Sequence, residues 1–286
     1  MIFRPKLEHL LVDHCNLRCS GCSVHSPFLD ERFSDLDMFK NDIEALSKVM
    51  KVQLFRFIGG EPTLHPQLSE FVKVAKESGI AKIISICTNG TNLHKLSDEV
   101  FLNIDILDIS VYTETKINYK KQAEFVQEKL SQIYQKYNHR VILNPSVLDE
   151  VFLDLHSDDP FDENTTQQVY NACENKEFCH SFRDGKFYQC DVITNKNQYL
   201  KNIGKPVDID FAIEDTIDIH SDKLDTRLVK YINSRTPLKA CYYCRGTSAQ
   251  LVPRVQHTVK EIKLIRSIVD VSTIEHLTTT NEATNE

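Results

Sequence analysis

The stretch Leu7-Glu8-His9-Leu10-Leu11-Val12-Asp13-His14-Cys15-Asn16-Leu17-Arg18-Cys19-Ser20-Gly21-Cys22 decides how this chain reads. Leu7–Val12 is an apolar run of strand length. Cys15, Cys19 and Cys22 follow it in the spacing C-x3-C-x2-C. Thiolates are the soft ligands that iron–sulfur clusters select. A fourth cysteine would close a four-iron cluster for electron transfer. A triad leaves one iron free to bind a substrate or cofactor directly.

Working outward, Leu54-Phe55-Arg56-Phe57-Ile58 reads as a second strand and runs into Gly59-Gly60-Glu61-Pro62. Glycines at a strand end let a ligand approach the backbone. Glu61 offers a carboxylate to a cationic amine. The cysteine triad, followed one βα unit later by GGEP, resembles the radical S-adenosylmethionine (radical SAM) superfamily over residues 7–145.

Composition agrees with a globular protein. Of 286 residues, 41% are hydrophobic and 26% charged, which allows one large or two modest domains. No apolar run approaches the ~18 residues of a membrane span. The N-terminus is too charged for a secretory signal, so the expectation is a cytoplasmic protein without membrane contact. The net charge of -7 argues against a nucleic-acid surface. The odd count of nine cysteines, clustered at C-x2-C spacings, points to metal rather than disulfides.

The first half alternates strand and helix signals. Strands are expected at Leu7–Val12, Leu54–Ile58, Lys82–Cys87, Ile106–Val111 and Val141–Leu143, with a sixth at Val151–Leu155. Ser34 and Asp37 form a capping-box pattern before a helix carrying Phe39, Ile43, Leu46 and Met50. A second helix begins at Pro66 and closes at Gly79; a long amphipathic helix covers Tyr119–Tyr137. Such alternation predicts a parallel α/β sheet with crossovers. The pattern is compatible with the partial (β/α)6 TIM-like barrel that the resemblance implies. The expected division is a core over residues 1–155, a linker over 156–168 and a cysteine-bearing domain over 169–256. A terminal helix within 257–276, read over Val259–Val271, and a disordered tail over 277–286 follow.

Cys173, Cys179, Cys190, Cys241 and Cys244 form a second group. Arg183-Asp184-Gly185-Lys186 is a hairpin turn signal, and a strand over Lys186–Ile193 would carry Cys190. Their order resembles the twitch domain, a short relative of the SPASM domain. The resemblance implies one auxiliary four-iron cluster held by Cys173, Cys190, Cys241 and Cys244, and two clusters in all. Cys179 would then be free, would replace Cys173, or would donate a hydrogen atom to a substrate radical. A structural zinc site with four thiolates is the alternative. Cys87, within a strand, reads as a core cysteine.

By the same resemblance, Cys15, Cys19 and Cys22 hold the catalytic cluster, and S-adenosylmethionine chelates its open iron. Gly59, Gly60 and Glu61 line the methionine end, with Glu61 taking the ammonium. Thr88 and Asn89 meet the ribose. Ser110 and Tyr112 face cofactor or substrate, and Asn144 is a further candidate. The residue before the third cysteine, often aromatic in the superfamily, is Gly21 here, so no side chain stacks from that position. The implied chemistry is reductive cleavage to a 5′-deoxyadenosyl radical and hydrogen-atom abstraction. The substrate is expected to be small, polar and sugar-like, undergoing oxidation or epimerisation. The chain begins six residues before its first strand, leaving no room for a leader-binding domain. Modification of a short peptide is the alternative, and a non-enzymatic iron–sulfur redox protein a distant one. A reducing partner such as flavodoxin or ferredoxin is implied.

Overall fold

A computed structural model describes residues 1–112, 116–147 and 151–266. Five strands lie side by side and parallel: β1 (Ile2–Val12), β2 (Met50–Gly59), β3 (Ala81–Thr88), β4 (Ile106–Val111) and β5 (Ile142–Val147). Between them run α1 (Leu36–Ser47), α2 (Leu68–Ser78), α3 (Asp98–Asn103) and α4 (Lys116–Tyr137). The cap of α1 is Asp35, whose carboxylate accepts from Met38 N at 2.8 Å. Ser34 is not the cap, because its hydroxyl lies 2.9 Å from the buried His9 Nε2. Gly79 ends α2 in the left-handed region, as read from the sequence.

Alternation divides the sheet into two unlike faces. Leu7, Leu11, Phe55, Phe57, Ile84, Ile86, Leu107 and Ile109 pack with Phe39 and Ile43 of α1, Phe71 and Val72 of α2 and Val126 of α4. Burying each such side chain contributes about 1.5–3 kcal/mol, and the ensemble anchors the helices to one face. The other face is polar. Glu8, Arg56 and Ser85 stand abreast, as do Cys87, Asp108 and Asn144.

The chain continues through β6 (Val151–Leu153), α5 (Glu163–Ala172), α6 (Asn175–Phe178), β7 (Ser181–Arg183) and β8 (Lys186–Tyr188). It then forms α7 (Lys196–Asn202), α8 (Phe211–Glu214), β9 (Thr216–Asp218), α9 (Leu224–Ile232) and β10 (Leu251–Pro253). The sheet has eight strands in the order β5-β4-β3-β2-β1-β7-β8-β9. It is a mostly parallel α/β sheet with helices. The strand expected at Val151–Leu155 does not join it. Its short β6 core pairs antiparallel with β10 instead, and Val151 is exposed. The sixth parallel strand is β7, which covers the free edge of β1 with three buried residues.

The hairpin read at Asp184-Gly185 is present: both residues have positive φ (52° and 73°) and Arg183 faces Lys186 across the turn. The strand expected over Lys186–Ile193 stops at Tyr188. There Gln189 is buried, holding Ile232 O and Tyr170, and the chain bends into a 3-10 turn at Asp191–Ile193. The expected linker is structured in part, since Asp162 caps α5 through Thr165 N. The second half shares the sheet of the first through β7–β9, so no separate sheet divides them. The terminal helix is present over residues 259–266; the remainder of that reading and the tail 277–286 lie outside the described residues.

Candidate active site

The ends of β1–β4 meet around one cavity of about 450 Å3. Its lining brings together Cys15, Cys19, Cys22, Gly59, Gly60, Thr88, Asn89, Ser110 and Tyr112, with Cys87 beside them. Carboxyl ends of parallel strands are where α/β sheets collect ligands.

Each part of this rim has a local cause. Gly59 has φ +132°, and a Cβ there would stand 2.4 Å from Val12 O. A Cβ on Gly60 would stand 1.9 Å from His14 O. The glycines are thus demanded first by the backbone of the cysteine loop, which accepts Gly60 N at Val12 O (2.6 Å) and Glu61 N at His14 O (3.1 Å). Glu61 is 1% exposed and does not line the cavity. Its carboxylate accepts from Thr63 N and Oγ1, from Thr88 Oγ1 at 2.6 Å and from Asn89 N at 2.8 Å. Burial raises its pKa while these donors oppose the rise. In this arrangement Glu61 fixes the end of β3, one layer behind the position in which it would meet an amine.

Asn89 in turn donates from Nδ2 to Asn16 Oδ1 at 2.8 Å and approaches Cys15 Sγ at 3.6 Å. From the other side, Gln256 Nε2 and Arg254 Nη1 approach Cys19 Sγ at 2.8 and 3.3 Å. A backbone bridge joins Cys19 to Gln256. Burial pushes the Cys15 thiol up to about 12 and raises Cys22, so free thiols stay protonated here until a metal replaces the proton.

Several wall residues carried no sequence signal. Gly21 (φ +67°) leaves space into which Phe152 of β6 packs, 3.6 Å from the position of a Cβ. Phe152 lines the cavity and meets Tyr112 edge-on at 6.1 Å, while the Arg254 guanidinium lies 4.1 Å over the Tyr112 ring. The aromatic wall missing from position 21 is therefore supplied from β6. Glu8 and Asp191 also line the cavity. Asn144 lies on the open edge and donates to Asp108 at 2.7 Å; it is not among the lining residues.

Cys173, Cys190, Cys241 and Cys244 line a second, small cavity together with Val169, Leu238 and Ile193. Burial raises the thiols of Cys190, Cys241 and Cys244. Cys179 is not in this lining. Its Sγ lies 3.6 Å from Lys6 Nζ, and burial pushes it up to about 12. His156 joins the two groups: its backbone bridges to Cys244, and its Nε2 donates to Cys22 O at 3.0 Å. Only a register between distant segments creates that link, so spacing could not reveal it.

Residues 10–156 match the sequence profile described as the Radical SAM superfamily. The chain is 32% identical over 143 residues to a GTP 3',8-cyclase of Chlorobaculum tepidum, covering 47% of this chain and 42% of that protein. It is 31% identical over 169 residues to an S-adenosylmethionine-dependent nucleotide dehydratase of Selenomonas ruminantium, covering 54% and 58%. The chain thus spans about half the length of these curated relatives. Among solved structures, BtrN in complex with AdoMet and 2-DOIA is 18% identical with a TM-score of 0.48, covering 86% of this chain and 95% of that one. SuiB of Streptococcus suis bound to S-adenosylmethionine is 14% identical with a TM-score of 0.44, covering 79% and 65%. Among the described residues no helix is long and apolar enough to cross a membrane.

Proposed function

The chain belongs to the radical SAM superfamily, and on that premise we propose an enzyme that oxidises a small, polar, sugar-type molecule with the help of two four-iron clusters. The observation that carries this reading is the shared cavity. The cysteine triad, the glycine rim, Thr88, Asn89, Ser110 and Tyr112 surround the same space as two carboxylates, Glu8 and Asp191. When bound, the cluster and S-adenosylmethionine supply one-electron cleavage and hydrogen-atom abstraction; the protein supplies orientation and exclusion of water.

The chain's own residues divide that work. Cys15, Cys19 and Cys22 would hold the catalytic cluster, and Glu61 keeps Thr88 and Asn89 against the cysteine loop. Phe152 and Tyr112 wall off the upper cavity. Glu8 and Asp191 form a polar floor suited to hydroxyl or amino groups. Cys179 stands beyond Glu8 and off the cavity wall, which favours oxidation over an epimerisation that uses it as hydrogen donor.

Cys173, Cys190, Cys241 and Cys244 would hold the second cluster. A tetrahedral zinc site with ~2.3 Å Zn–S bonds draws its sulfurs to about 3.8 Å from one another. Among the described residues no three cysteine sulfurs lie within 4.8 Å of each other, a spacing that suits a cluster better than one ion.

The test is iron and sulfide content after anaerobic reconstitution, for wild type beside Cys15→Ala/Cys19→Ala/Cys22→Ala. About eight irons falling to about four, with methionine and 5′-deoxyadenosine formed by wild type alone, is the expected result. About four irons falling to none, with one zinc retained, would remove the second cluster from the proposal.

A further inference from the structure

Residues 254–257 follow β10 directly and run antiparallel to residues 18–20 of the cysteine loop. Ser20 N donates to Val255 O at 2.7 Å, and His257 N to Arg18 O at 2.8 Å. Val255 N donates to Ser20 Oγ at 2.8 Å, and Arg18 Nε to His257 O at 2.9 Å. This ladder fixes the loop. Two side chains of the segment go further and meet a sulfur. Gln256 Nε2 lies 2.8 Å from Cys19 Sγ, and Arg254 Nη1 lies 3.3 Å from it.

The orientation of the Gln256 amide is settled by its other end. Its Oε1 accepts from Arg18 N at 2.7 Å, so its NH2 group is the side that faces Cys19. A guanidinium has no acceptor, so Arg254 can only donate. Arg254 is 8% exposed, which keeps its charge in a medium of low dielectric. Cys15 Sγ meets Leu17 N at 3.3 Å and Asn89 Nδ2 at 3.6 Å, and Cys22 bonds the backbone of Val24 and Ser26. Cys19 receives both a short amide contact and a cation, from residues 237 and 235 positions further along the chain.

A metal-bound cysteine is a thiolate and accepts from both groups. One-electron reduction of a cluster adds one negative charge, shared with its thiolates, and neither makes nor breaks a bond. Donors and a cation at a thiolate therefore stabilise the reduced form more than the oxidised one. We propose that Gln256 and Arg254 are positioning residues for the first cluster, acting through Cys19 so that the cluster accepts its electron at a higher potential than the loop alone would give. This rests on the reading above for a cluster at Cys15, Cys19 and Cys22, and neither residue is a ligand to it.

Anaerobic redox titration of the reconstituted protein, followed by electron paramagnetic resonance, tests it. The signal of the first cluster is the one that added S-adenosylmethionine alters; the other signal serves as internal reference. Gln256→Glu keeps an oxygen for Arg18 N but puts a carboxylate in place of the donor at Cys19. At a fixed potential its reduced-to-oxidised ratio should fall about tenfold, the scale of one hydrogen bond to a charged group, which for one electron is a midpoint about 59 mV lower. Arg254→Met should move the midpoint the same way, and Arg254→Lys should return most of the shift. An unchanged or raised midpoint in Gln256→Glu, a wild-type midpoint in Arg254→Met, or an equal shift of both signals would each overturn the proposal. If Gln256→Glu loads no first cluster, the two Arg254 variants decide, by whether lysine restores what methionine loses. Absence of the first signal from wild type would remove the cluster reading and this inference with it; a signal whose midpoint does not move removes this inference alone.

Discussion

In the reading proposed above, the two cysteine groups would hold their clusters in opposite ways. Cys15, Cys19 and Cys22 lie on a single loop, and their sulfurs border a cavity of about 450 Å3. Cys173 follows α5, Cys190 follows β8, Cys241 lies in a 3-10 turn and Cys244 directly follows that turn; together they line a cavity of about 30 Å3. The first group is local in sequence and open in space. The second is scattered in sequence and closed in space. A site that must admit ligands keeps a coordination position and an entrance. A site that only holds its metal is enclosed by folding around it, and its ligands can come from anywhere in the chain.

The largest effect expected from this contrast is on metal content and cleavage. Cys241→Ala/Cys244→Ala should lose about four irons and keep S-adenosylmethionine cleavage, whereas the triad variant loses cleavage altogether. Electron paramagnetic resonance of the reduced proteins would separate the two losses. Retention of all iron in the Cys241/Cys244 variant would break the comparison.

Next comes the join between the two halves. Arg183 of β7, 1% exposed, pairs with Asp13 at the start of the cysteine loop, and Asn195 Nδ2 adds a bond to Asp13 at 3.1 Å. Asp13→Ala removes the nearest carboxylate from a buried guanidinium, leaving only Asp184 at 3.7 Å among the described residues, and should cost about 3 kcal/mol. Chemical denaturation measures it. A cost near zero would mean that the two halves are stabilised independently.

Gly60→Ala sharpens the point about local construction. The added methyl meets His14 O at 1.9 Å, so the cysteine loop has to move. A loss of about 2–3 kcal/mol is expected, with iron lost selectively from the first group. Equal iron loss from both groups would argue for a general folding defect.

The smallest effect concerns pH. Burial pushes His180 down to about 4 and holds His9 well below its usual value. Both folded values are depressed, so the unfolded chain binds protons more readily. Stability is complete above about pH 6.5 and falls toward pH 4 by about 1.4 kcal/mol per pH unit for each histidine. His180→Gln should flatten part of that slope in denaturation curves taken from pH 7 to 5. Because His180 sits on the β1–β7 side of the sheet, away from the Cys15 loop, the part of the slope that His180→Gln removes should be the same with and without iron in that loop.

How well each part could be read follows from how local its cause is. Parallel strands with amphipathic helices between them declare themselves by period, and β4 was legible to the residue. The Asp184-Gly185 turn was legible because positive φ is a property of two residues. The place of Val151–Leu153 was not legible, since pairing with Leu251–Pro253 depends on a partner about a hundred residues away. The same holds for Glu61, whose carboxylate spends its hydrogen bonds on Thr63, Thr88 and Asn89.

By itself, then, the sequence determined the α/β class, the membership of the first three cysteines in one site and the rim that glycine, threonine and asparagine contribute at the strand ends. Those features rest on periodicity and on spacing within a loop, which need no long-range information. Tertiary structure alone decided that β7 rather than β6 joins the parallel sheet, that Phe152 takes the aromatic place vacant at Gly21, that His156 links Cys22 to Cys244, and that Glu8 and Asp191 face the same cavity. Each of these is a contact between segments whose separation along the chain carries no signal. Contact, burial and charge balance exist only once the chain has closed on itself.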